Sequence, residues 1–75
     1  MNKTRRAALE AINEKIEVLK QELESLRDEE QEAFDNLSEG LQQGERGQAM
    51  EAATEALDEA ASSLDDAIDN IGGTL

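Results

Sequence analysis

Carboxylates are the only abundant reactive side chains in this chain: 19 Asp and Glu stand against 7 Lys and Arg, with no His and no Cys. Acid–base catalysis by carboxylates needs a pair whose surroundings push their pKa values apart, and glycoside hydrolysis adds a sugar cleft between them. Phe34 is the only aromatic residue available to line such a cleft. Ser25, Ser38, Ser62 and Ser63 have no imidazole base to activate them. Gly40, Gly44 and Gly47 are not followed by the lysine and hydroxyl residue of a phosphate-binding loop. Asp65, Asp66, Asp69 and Asn70 have the composition of a calcium site, but they fall on a helical repeat and lack the DxDxDG loop that wraps the ion. Asp28, Glu29, Glu30 and Glu32 read in the same way, as a solvated acidic face. Di-iron bundles need Glu-x-x-His, which is absent. The expectation is therefore no enzyme, with no catalytic, cofactor-binding or metal-ligating residue.

The elements that carry these carboxylates are helical. Leu9, Ile12, Ile16, Leu19, Leu23 and Leu26 alternate three and four residues apart, the a and d seam of a coiled coil, and the count continues through Glu30, Ala33 and Leu37. Glu30 occupies a seam position, so the seam is wet there or shifts toward Phe34. From Met50 a second heptad repeat, MEAATEA, LDEAASS, LDDAIDN, places Met50, Leu57, Leu64 and Ile71 in register with Ala53, Ala60 and Ala67. Thr54, Ala61 and Ile68 widen its apolar stripe. Between the two, LSEGLQQGERG holds three of the five glycines and reads as a turn, with Leu41 plugging the end of the core. The expected architecture is all-α: one domain over residues 1–75, with a helix at about 3–37, a turn at about 38–45 and a helix at about 46–71. These form a two-helix antiparallel coiled-coil hairpin, and two hairpins dimerise into a four-helix bundle. Burial of Phe34 would make Phe34→Ala cost about 3–5 kcal/mol.

A turn centred near residue 42 pairs residues whose numbers sum to about 84. Arg27 then meets Asp58, Lys20 meets Asp65 and Lys15 meets Asp69, while Leu26 lies beside Leu57 and Leu19 near Leu64. Residues 1–10 would project past the second helix and leave Leu9, with part of Ile12, uncovered. A core this small and an apolar overhang both favour self-association. Lys3, Arg5 and Arg6 sit in the first helical turn, against the helix dipole, and are expected to reach the acidic end of the second helix or an oligomer mate; the other reading is a basic hook for an acidic partner.

The formal net charge is −12, and from Gly47 onward there are 7 acids and no base. Such a balance opposes direct nucleic-acid binding, where cations supply the affinity. It also opposes a membrane-surface role, which wants Lys and Arg on the polar face. No apolar run follows MNKTRRAALEAIN, so neither a signal peptide nor a membrane span is expected, and the expected location is the cytoplasm. Acidic Asp58, Glu59, Asp65, Asp66 and Asp69 keep the helix soluble, or they face the basic surface of a protein partner.

LRDEEQEAFDNLSEGLQ at residues 26–42 and ERGQAMEAA at 45–53 together resemble a group of short acidic proteins of uncharacterised role in Gram-positive bacteria and their phages. Phe34-Asp35-Asn36-Leu37 and Glu45-Arg46-Gly47 are the specific parts of the resemblance. It implies a mobile-element setting and action by stoichiometric binding, and it brings no site residues. The resulting expectation is a non-enzymatic acidic protein-interaction module with Leu9, Phe34, Leu41, Asp58, Glu59, Asp65, Asp66 and Asp69 as contact candidates. The alternatives are a DNA-mimic inhibitor of a nucleic-acid-binding enzyme and a self-associating structural or assembly protein.

Overall fold

The computed structural model describes residues 1–75 and contains three helices: α1 (Lys3–Asp35), α2 (Glu39–Gln43) and α3 (Glu45–Gly72). Asn2 starts α1, its Oδ1 accepting a hydrogen bond from the Arg5 amide at 2.8 Å, which satisfies one of the orphan donors of the first turn. At the other end the Asn36 amide donates back to Glu32 and Phe34, and Leu37 closes one further turn onto Phe34. Ser38 is extended and begins α2, its Oγ accepting from the Leu41 amide at 3.4 Å. Glu39 adds a negative charge to that first turn. Gly44 ends α2 and caps α3 in an extended conformation without a side-chain bond.

α1 and α3 run antiparallel as a hairpin, a rod of 58 × 14 × 12 Å. The pairing follows from the sequence register. Lys20 Nζ lies 3.0 Å from Asp65 and Arg27 Nη1 lies 2.8 Å from Asp58, both across pairs summing to 85. Lys15 and Asp69 form no ion pair. With one helix on each side there is little interior: only Gly47 and Ala61 are buried.

Four expectations are corrected. The linking segment is not a simple turn, because residues 39–43 form α2 between the two long helices. Leu41 does not plug the core; it is 51 % exposed. Gln42 turns inward instead, donating from Nε2 to the Phe34 carbonyl at 3.1 Å. Leu9 is half-buried rather than uncovered, whereas Ile12 is exposed.

The fourth correction concerns the seam. One half-buried row of α1 is Leu9, Ile16, Leu23 and Glu30, of which Ile16 and Leu23 are as expected, but the second row is Asn13, Lys20, Arg27 and Phe34. Ile12, Leu19, Leu26 and Ala33 are exposed. A single neighbouring helix covers one stripe of about 100°. Here α1 is rotated so that Phe34 and the aliphatic stems of Lys20 and Arg27 lie under α3 while their charged ends reach Asp65 and Asp58. The shift toward Phe34 runs the length of the helix.

The corner is set by backbone approach. Gly47, on the first turn of α3, packs against α2: a Cβ there would stand 2.5 Å from the Gln42 carbonyl carbon and 2.6 Å from its Cα, closer than atoms can approach. Its φ is not positive, so the requirement is absence of a side chain rather than left-handed backbone.

Candidate interaction surface

Two exposed surfaces result from this packing, one apolar and one acidic. The apolar one is built by the unused seam of α1. Ile12, Leu19 and Leu26, seven residues apart, are 45 %, 51 % and 53 % exposed, and Val18 beside them is 54 % exposed. A shallow groove on this side is lined by Val18, Gln21, Glu22, Ser25 and Leu26. Leaving these side chains in water forgoes about 25 cal/mol for each Å² of apolar surface, so the stripe favours any partner able to cover it.

The acidic surface is divided by the hairpin's own ion pairs. Asp58 and Asp65 lie on the flank of α3 beside α1 and are committed to Arg27 and Lys20. Arg27 is shared, with its Nε and Nη2 also donating to Asp28 at 3.2 and 3.1 Å. The Asp58 hydrogen bond, then that of Asp28, raises the Arg27 pKa. The Asp65 hydrogen bond likewise holds Lys20 above lysine's ordinary 10.5; partial desolvation opposes the rise, and the charges of Asp65, Glu17 and Glu24 add to it. Glu59, Asp66 and Asp69 are exposed and make no ion pair, and Glu51 and Glu55 are free in the same sense.

The residues singled out from the sequence therefore do not converge. Leu9 and Phe34 are half-buried against the hairpin, Leu41 stands out at the corner, and the five acids split into two paired and three free. No group of three or more carboxylates is placed to hold a metal ion, and no helix is long and apolar enough to cross a membrane. Sequence reasoning pointed to partial exposure of Ile12, which is 45 % exposed, but missed Leu19, Leu26 and Val18 as surface residues, because a seam pattern does not say which of its two rows the first partner helix covers. It also missed Asn13, whose Nδ2 donates to the Ile68 carbonyl at 3.4 Å while its Oδ1 is buried without a partner.

Fold and surface define an acidic antiparallel helical hairpin with an uncovered apolar seam. Comparison with protein-family models, curated proteins and solved structures finds no match.

Proposed function

We propose that the chain is a non-enzymatic protein-interaction module that acts by stoichiometric binding to a protein partner with a basic surface. The observation carrying this reading is the outward side of α3, where Glu55, Glu59, Asp66 and Asp69 stand exposed, free of ion pairs, on one rigid helix with no base after Arg46. Charges arranged in this way steer a basic partner and set its orientation. Self-association into a four-helix bundle, with the apolar seam inside, is compatible with this reading but not required by it, since it would leave the acidic sides of both α3 helices outward. The resemblance of residues 26–42 and 45–53 to short acidic phage-type proteins favours this stoichiometric mode.

The uncompensated charge of α3 also favours a second reading, mimicry of DNA toward a nucleic-acid-binding enzyme. The commitment of Asp58 and Asp65 to Arg27 and Lys20 lowers the charge density such a mimic would present. A tagged pull-down from host lysate, with and without excess double-stranded DNA in the wash, tests both. A retained partner that is lost on Glu59→Lys/Asp66→Lys supports the proposal, and release by DNA moves the assignment to the mimic. A partner unaffected by those reversals, or none, overturns the acidic-surface reading.

A further inference from the structure

We propose that two copies pair through the exposed face of α1, antiparallel, with a two-fold axis crossing between Val18 and Leu19. The inference rests on the reading of the hairpin as an interaction module and names a second copy of this chain as the occupant of its apolar seam. An isologous contact requires a surface complementary to itself under a two-fold rotation, in shape and in charge. The apolar row meets the first condition: about that axis Leu19 of one copy falls within one residue of Leu19 of the other, Ile12 falls within one residue of Leu26, and all three are exposed.

Charge meets the second condition. On the exposed face that Leu19 shares with its heptad neighbours, the charged residues before Leu19 are Arg5 and Lys15, both positive. Those after it are Glu22, Glu29 and Glu32, all negative. None of the five is used in an ion pair within the hairpin. Antiparallel pairing about this axis sets Lys15 beside the partner's Glu22 and Arg5 beside the partner's Glu32. Parallel pairing would set Lys15 beside Lys15 and each glutamate beside itself, which costs rather than stabilises.

α3 supplies an independent check. Its two flanks differ: Glu51, Asp58 and Asp65 occupy the side that pairs with Arg27 and Lys20, whereas Ala49, Ala56, Ser63 and Asn70 occupy the other. That second flank is exposed and uncharged, and it lies on the same side of the hairpin as Leu19. Through the hairpin register an axis between Val18 and Leu19 passes between Asp66 and Ala67, so Ser63 of one copy comes opposite Asn70 of the other. A small polar row therefore continues the apolar one, and the assembly is a four-helix bundle with α1 against α1 and α3 against α3.

The test is sedimentation equilibrium of the full chain across the micromolar range, with helical circular dichroism recorded on every variant. The expected result is a dimer whose dissociation constant rises about tenfold on Lys15→Glu, the effect of losing two equivalent charge pairs, and returns toward wild type in Lys15→Glu/Glu22→Lys. Leu19→Asp is expected to give a helical monomer, because Leu19 is 51 % exposed and lies outside the half-buried rows of α1. A wild-type monomer overturns the proposal, as does a dimer indifferent to Lys15→Glu or one unaffected by Leu19→Asp. Each of these failures leaves partner capture by the acidic side of α3 untouched, so the two readings fail separately.

Discussion

Substitution of Gly47 by alanine gives the sharpest test of how the corner is built, because two physical effects predict opposite signs. Gly47 is helical and has ordinary negative φ, so helix preference alone makes Gly47→Ala stabilising by about 1 kcal/mol. The structure predicts the reverse. The new methyl would fall 2.5 Å from the Gln42 carbonyl carbon and 2.6 Å from its Cα, and those atoms belong to the backbone of α2 rather than to a side chain that could swing aside. Relief requires α2 to move off α3, and overpacking of this kind costs about 1–3 kcal/mol, here toward the upper end because the obstacle is rigid. Offset against helix preference, the net loss is about 1–2 kcal/mol. In a domain of this size that lowers Tm by roughly 4–15 °C. The assay is thermal melting followed by helical circular dichroism at one fixed protein concentration, with Gly40→Ala alongside. Gly40 is also helical, and a Cβ there meets nothing within 4 Å. That control is expected to gain about 0.5–1 kcal/mol. A rise in Tm for both variants would refute the close approach and reduce Gly47 to an ordinary helical glycine.

Three further outcomes follow from the same packing. Phe34→Ala is expected to cost about 1.5–2.5 kcal/mol by urea denaturation, below the range for a fully buried ring, because Phe34 is only half-buried; an unchanged midpoint would place it outside the hairpin contact. Asn13→Leu is expected to raise stability by about 1 kcal/mol, since it removes a buried Oδ1 that has no partner; a lower Tm would show that the bond to Ile68 outweighs that burden. Lys20 binds its proton more tightly when folded, so its pair with Asp65 contributes below about pH 10.5 and is lost as pH rises through the raised value. Tm should therefore drop more steeply above that pH in wild type than in Lys20→Met, and identical curves would contradict the assignment.

The hairpin and its register were legible in the sequence because they rest on strong, repeated signals. The heptad rows from Leu9 to Leu23 and from Met50 to Ile71 are continuous, and opposite charges at Lys20/Asp65 and Arg27/Asp58 agree with one register. The rotation of α1 about its own axis was less legible. Apolar residues fill two rows, and the choice between the row of Leu19 and that of Phe34 depends on where the lysine and arginine stems lie once their ends are paired. α2 had a local signal, Ser38 followed by Glu39, but a glycine-rich stretch of that length reads first as a turn. The contact of Gly47 with Gln42 has no signature in sequence, since a glycine needed for close approach looks the same as one needed for a bend. The candidate surface was legible in its acids and largely hidden in its apolar part, whose exposure depends on the rotation of the helix.

The order of the cross-hairpin links has a consequence for how the rod opens. Arg27 and Asp58 are 31 residues apart along the chain, Lys20 and Asp65 are 45 apart, and Asn13 and Ile68 are 55 apart. Each link encloses the one before it, as the teeth of a zipper do, with the corner at Gly47 as its fixed end. Once the innermost link has closed, reaching the outermost adds only about 0.5 kcal/mol of loop entropy, so closure runs outward with little resistance. Opening runs the other way. The free tips, where Asn13 is the last cross-link, part first and often, while the segment near Arg27 stays shut. Amide hydrogen exchange should fade steadily from tip to corner along both helices, a gradient rather than a single protected block.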